Sequence, residues 1–419
     1  MTELRRALDK QVAGLVFDED RKAAVRQIAF TKRTRRPVRR VLIALALCAA
    51  LAVTAAAAGP SIWQALEARL GAFAPYAEEL DTVSVSQGVE LRAVGSVSDG
   101  VITRIYLAAT DLEGTRLDGH TIAVPQSFTV DGAWTNWIMG YGIQTVAFEN
   151  EEQTLLLEIQ AEGLDFTQPV TISGGTLQPG RYTVHAWPEL EEIPAAALET
   201  ELTEDGIPVL RGGQTPRTFE GLNGFRLSSM GFDERGRFHI RIALEPGYAL
   251  EGRVYATASS ADGRNWQEGM EVTMLPDGED ILLPAITREN VSELQELELY
   301  GAYTGPESPI QGEWSLSLEL DTVNTWTTAD SWSAACGGIT ITRVQLSPLG
   351  VVAWYSGEGW LHEAEYLQVE QKDGKSPTWE APTGGGDQAG GCVIWAFNEP
   401  VEPEDISSVT IRGVEIPLS

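Results

Sequence analysis

The chain has 419 residues, with 30 basic against 60 acidic side chains, 42 Gly, 21 Pro, 3 Cys and 4 His. That length allows two to four domains, and 43% hydrophobic residues are enough to build real cores, which excludes disorder along the whole chain. A net charge of −30 argues against a nucleic-acid partner, and so few Cys and His exclude a zinc-finger or disulfide-knot protein.

The charge is split between two regions. Residues 1–40 carry 12 Lys/Arg and 5 Asp/Glu, whereas the remaining 379 carry 18 and 55. Leu4, Leu8, Val12 and Leu15 fall on one helical stripe, and Asp18 can cap a second helix through Phe30. This basic segment, 1–40, is expected to be cytoplasmic. It can lie on the anionic inner leaflet, dock onto a cytoplasmic regulator, or serve only for orientation.

Next comes Val41 to Ala58, eighteen residues without a charge. At 1.5 Å per residue it spans about 27 Å, close to the hydrocarbon core, and residues up to Trp63 can lengthen it. The basic cluster Lys32, Arg33, Arg35, Arg36, Arg39 and Arg40 precedes it, and only Arg69 follows within twenty residues. The positive-inside rule then predicts a single-pass signal anchor over 41–63, with the acidic part outside the cell membrane. Cleavage after Ala58 is the rival reading, but a forty-residue basic stretch is too long for an ordinary signal peptide. Helical rhythm through Ile62, Leu66, Leu70 and Phe73 predicts a juxtamembrane helix over 64–79, with Trp63 at the headgroup level and Pro75 ending or kinking it.

From Thr82 the period changes to short alternating runs separated by Gly, Asp and Pro, which predicts a mainly β ectodomain of tandem Ig-like β-sandwiches. Strand–turn–strand patterns starting at Gly88, Gly224 and Gly338 lie 136 and 114 residues apart and suggest three units. The expected division is 80–189, a linker over 190–216, 217–321 and 322–419, with Asp321 to Asp330 as a second linker.

Glu3-Leu4-Arg5-Arg6-Ala7-Leu8-Asp9, the basic cluster and anchor, Phe73-Ala74-Pro75-Tyr76, Ser98-Asp99-Gly100, Asp111-Leu112-Glu113-Gly114 and Val344-Gln345-Leu346-Ser347-Pro348-Leu349-Gly350 carry a resemblance. Together they resemble a family of Gram-positive single-pass proteins, some labelled anti-sigma-factor-like, with an outer β-sandwich domain of unknown function. The resemblance implies a regulatory or sensory membrane protein whose cytoplasmic partner is a sigma factor or another regulator. One departure stands out: no His or Cys precedes Cys48, so the zinc site of zinc-binding anti-sigma domains has no ligands here.

Catalytic signatures are missing from the sequence. His120, His185, His239 and His362 are scattered, Leu361-His362-Glu363-Ala364-Glu365 lacks a second histidine, and there is no nucleophile elbow, P-loop or dinucleotide fingerprint. The expectation is a non-enzyme without a cofactor or metal; Asp/Gly turns such as Pro276 to Asp280 read as solvated turns rather than calcium loops. Cys336 and Cys392 are the two outer cysteines, and a disulfide between them is permitted outside the membrane. Eight tryptophans lie beyond residue 260. Trp314 and Trp395 read as core, whereas Trp360 and Trp379, flanked by Gly, Pro and charge, are candidate exposed aromatics for an envelope ligand. A tethered envelope- or glycan-binding scaffold without a signalling role is therefore the alternative reading.

Overall fold

The computed structural model describes residues 60–132, 140–162, 165–261, 263–266, 268–327, 334–336, 338–357, 366–387 and 390–418. The basic segment, with Lys32, Arg33, Arg35, Arg36, Arg39 and Arg40, and the apolar stretch 41–58 lie outside the described residues. Among the described residues no helix is long and apolar enough to cross a membrane.

The described residues are mainly β and build three sandwiches. Each has an antiparallel sheet with the same order of five strands, to which the third adds a sixth. In the first it runs Glu78–Ser86, Val89–Ser98, Ile102–Asp111, Thr154–Glu162, Gly140–Glu149. The second runs Arg217–Thr218, Phe225–Phe232, Phe238–Leu244, Gly278–Leu283, Glu271–Leu275. The third runs Trp326–Thr327, Ile339–Ser347, Gly350–Gly357, Gly390–Ala396, Thr383–Asp387, with Ala334–Cys336 also on its second strand. The repeat seen in sequence is therefore structural. A bulge interrupts the central hairpin between Ala93 and Gly95, between Leu227 and Ser229, and between Ile341 and Arg343. The latter two obey the 114-residue offset; the first bulge sits two residues late.

The domain boundaries differ from the expected ones because the second sandwich is inserted into the first. Ser315–Leu318 pairs with Val170–Gly174, and Ile310–Gln311 with Thr176–Gln178, so the chain returns to the first core after the insertion. Trp314, Leu316, Leu318 and Leu320 share that core with Leu91, Leu107 and Leu157, and the Trp314 indole N–H donates to Val89 O at 2.9 Å. Edge-strand serines secure the return: Ser84 and Ser86 hydroxyls accept from the backbone N–H of Ser315 and Glu313. Residues 310–320 thus belong to the first sandwich, not to the second.

The expected linker 190–216 is also corrected. It covers the outer face of the second sheet, with Leu198, Val209 and Leu210 buried and Leu198 N–H donating to Phe232 O. That sheet face is polar. Asp280 accepts from Leu210 N–H at 3.0 Å, and Arg241 donates to Leu210 O at 2.6 Å, so the covering segment satisfies groups that would otherwise be buried without partners.

The outer faces of the first and third sheets are instead apolar and cover each other. Val97, Ile102, Tyr106, Ala108 and Leu156 of the first share one cluster with Leu349, Val352, Ile394 and Ala396 of the third. Runs such as Thr154-Leu155-Leu156-Leu157 lose strict alternation because both faces of the strand are buried. The sheets approach closely at Gly350, where a Cβ would stand 2.8 Å from Ile102 Cδ1. The Ser98-Asp99-Gly100 turn meets the Ser347-Pro348-Leu349-Gly350 turn here: the Ser347 hydroxyl donates to Asp99 Oδ2 at 2.5 Å and Gln345 Nε2 to Asp99 O at 3.3 Å.

The segment expected as a juxtamembrane helix over 64–79 is an α-helix at Pro60–Leu70 followed by a 3-10 turn at Gly71–Tyr76. Its stripe of Ile62, Trp63, Leu66, Leu70 and Phe73 is buried in the same cluster. Trp63, 5% exposed, is therefore a core residue and not a headgroup anchor. Arg69 fastens the helix by donating from Nε and Nη2, at 2.8 and 2.6 Å, to the fully buried Glu158, which also accepts from Gln144 and Tyr106.

Replacing Arg69 with Met strands the Glu158 carboxylate. We expect a loss on the order of 2–3 kcal/mol, below the cost at a fully buried pair because the guanidinium is partly exposed. Hydrogen exchange should then show amides 62–70 losing protection while those of 238–244 keep theirs; an unchanged helix would refute the clamp.

Candidate functional site

The second sheet of the second sandwich pairs Arg181–Ala186 and Tyr255–Ser260 on either side of Leu294–Thr304. Strict alternation sends Tyr182, Val184 and Ala186 into the core and Thr183, His185 and Trp187 outward. Register places His185 opposite Tyr300, and Tyr300 opposite Tyr255. The result is an outward aromatic row. The Tyr255 and Tyr300 rings stack at 5.3 Å and 16°, and His185 lies 4.6 Å from Trp187 at 44°. Trp187 is 51% exposed, more open than Tyr255 and Tyr300.

Carboxylates fix the row. The Trp187 indole N–H donates to Glu296 Oε1 at 3.0 Å; His185 Nε2 lies 2.5 Å from Glu298 Oε1, and Thr257 Oγ1 donates to Glu298 Oε2 at 3.3 Å. At the far end, Arg181 donates from Nε to Glu251 at 2.7 Å. Arg181 and Thr183 also line a cleft of about 420 Å³ beside the joint with the first sandwich, together with His120, Thr145, Phe148 and Leu222. In it the His120 ring packs on Tyr182 at 4.3 Å. An open face with ring surfaces, fixed acceptors and an adjoining cleft can hold a ligand; it offers no nucleophile–base pair.

The residues singled out by sequence fall elsewhere. Trp360 and His362 lie outside the described residues. Trp379 is half-buried against the third core and bridges Phe397, so it is not an open aromatic as expected. Trp314 and Trp395 are core residues, as read. Cys392 is a free, buried thiol, and burial pushes it up to about 12. The expected bridge to Cys336 is excluded by topology. Ala334–Cys336 and Gly390–Ala396 are three strand spacings apart in one sheet, about 14 Å, twice the Cα separation a disulfide tolerates.

One buried polar cluster forms in the second sandwich, but it is structural. His239 Nδ1 lies 2.6 Å from Asp280 Oδ1 and its Nε2 3.6 Å from Asp233 Oδ2. Burial opposes ionisation of Asp233, yet backbone and guanidinium hydrogen bonds from Arg237 and the charges of Arg237 and His239 hold its carboxyl below the usual value. No group of three His, Cys, Asp or Glu among the described residues can hold a metal ion. Asp277 of the Pro276 to Asp280 turn faces Arg241 at 3.4 Å.

No family model and no curated protein matches the chain. Among solved structures it is similar to the crystal structure of the conserved domain protein from Bacillus anthracis. Sequence identity is 11%, covering 80% of this chain and 76% of that chain, with a TM-score of 0.34.

The alternation in Arg181-Tyr182-Thr183-Val184-His185-Ala186-Trp187 carries the signal for the aromatic face, and so does Glu296-Leu297-Glu298-Leu299-Tyr300. Trp187 lies well before the tryptophan-rich stretch beyond residue 260 in which Trp360 and Trp379 are the expected exposed aromatics.

Beside this face, Glu279 is buried, with one oxygen accepting from Val254 N–H at 2.7 Å and the other unpaired. Burial pushes its carboxyl up to about 7, against the Val254 hydrogen bond and the Arg253 charge. The fold therefore favours the neutral acid: this contribution is full below the free value of 4.5 and is lost as pH rises through about 7. Glu279→Gln should raise stability at pH 8 by on the order of 2 kcal/mol and change little at pH 4. Denaturation curves showing equal effects at both pH values would contradict this.

Proposed function

We propose that this chain is a membrane-tethered, extracytoplasmic binding protein that holds an envelope ligand on the outward aromatic face of its second sandwich. The row Trp187, His185, Tyr300 and Tyr255, held by Glu296 and Glu298, carries this reading. A sheet facing only water needs no such row, and exposed aromatic patches mark interaction sites. The tether is the uncharged stretch 41–58 with its cationic flank, and the units are Ig-like sandwiches, the second inserted into the first. Full-length protein in detergent should be retained by purified Gram-positive cell wall, and Trp187→Ala with Tyr300→Ala should reduce retention at least tenfold. No retention of the wild-type chain would end the proposal.

A second reading, an anti-sigma-like sensor, is favoured by the buried Pro60–Leu70 helix. That helix packs the chain that follows the uncharged stretch onto the first and third sheets instead of leaving it a loose linker. Deleting residues 2–30 should then change transcription of the regulator's targets; unchanged transcription would dismiss it.

A further inference from the structure

We infer that the ligand of this face is an uncharged pyranosyl oligosaccharide, lying along the outward side of the 181–187 strand from Trp187 to the cleft at His120; the inference rests on the binding function proposed above. Three features of the face support it.

Its chemistry is mixed in the way a sugar requires. Pyranose rings present C–H faces to aromatic rings and hydroxyls around the rim, and both halves meet partners here. Trp187, half exposed, and Tyr300, 38% exposed and opposite His185 on the neighbouring strand, offer ring surface. Glu296 and Glu298 are already oriented by Trp187, His185 and Thr257, so their remaining lone pairs are fixed acceptors for hydroxyl donors. Preorientation lowers the entropy cost of binding a flexible, well-hydrated ligand.

Its charge selects against the polyanions of an envelope. Among the residues flanking the row, Glu296 and Glu298 carry negative charge, and Arg181 at the far end is neutralised by Glu251. In a chain of net charge −30, a phosphate- or carboxylate-rich polymer is repelled before contact. A protein partner is less well matched, since the rings are interleaved with carboxylates rather than gathered into an apolar centre.

Its shape is linear. The six residue steps of extended chain from Trp187 to Arg181 run about 20 Å, the length of a short oligosaccharide, and end at the 420 Å³ cleft that Arg181 and Thr183 share with His120. A terminal sugar in that cleft touches both sandwiches.

The test uses the full-length chain in detergent, titrated calorimetrically with three hexasaccharides: neutral N-acetylglucosamine, neutral glucose and anionic galacturonate. At least one neutral hexamer should bind, and the galacturonate should not. Trp187→Ala and Glu298→Gln should each weaken that binding at least tenfold. Trp187→Phe should restore part of it, and Lys372→Ala, on the third sandwich, should leave it unchanged. His120→Ala should weaken hexamer binding more than disaccharide binding. Galacturonate binding as well as the neutral hexamers do would overturn the inference, as would neutral binding indifferent to Trp187→Ala. Wall retention that depends on Trp187 without binding of either neutral hexamer would overturn the sugar assignment and leave the binding function standing. Loss of both would remove the two together.

Discussion

The outer face of the first sheet is apolar, and the rest of the architecture follows from the need to cover it. Val97, Ile102, Tyr106, Ala108 and Leu156 cannot face water as a patch, and two elements distant in sequence close over them. The Pro60–Leu70 helix supplies Trp63 and Leu66, and the third sheet supplies Val352 and Ile394. Fully burying side chains of this size is worth roughly 1.5–3 kcal/mol each. The contact is therefore a core and not a hinge. The buried Asp99, with Ser347 and Gln345 on it, fixes the register between the two turns; burial raises its carboxyl, opposed by hydrogen bonds from Ser347, Ile102 and Val101.

Much of this was legible in the sequence, and the remainder failed for physical reasons. Strand-rich organisation and the threefold repeat follow from period-two patterning, and the sheets share one strand order. Domain edges did not follow, because the insertion of residues 181–304 is a long-range pairing: nothing local in Ser315-Leu316-Ser317-Leu318 says that its partner is Val170–Gly174. The 190–216 segment reads as a linker by composition, yet it carries Leu198, Val209 and Leu210 to a polar sheet face that composition cannot reveal. Trp63 has the position of a headgroup anchor in sequence and becomes a core residue once the third sheet is present.

The outward aromatic row illustrates the same divide. Aromatic content alone points to the tryptophan-rich C-terminal third, where Trp314 and Trp395 fill cores and Trp379 leans on one. What distinguishes Trp187, Tyr255 and Tyr300 is register: three strands from two separated stretches bring them into one row on a sheet whose other face is already a core. The insertion holds this row away from the face that the first and third sandwiches use to cover each other. The aromatic row and the contact between the first and third sandwiches thus occupy different sheets.

The shared core between the first and third sandwiches is tested most directly by native-state hydrogen exchange on the full-length chain carrying Val352→Ala. Val352 belongs to the third sandwich, but its side chain lies in the cluster with Ile102 and Tyr106. The amides of Ile102–Asp111 should lose protection together with those of Gly350–Gly357, while Phe238–Leu244 keeps its own. Loss confined to the third sandwich would contradict the account.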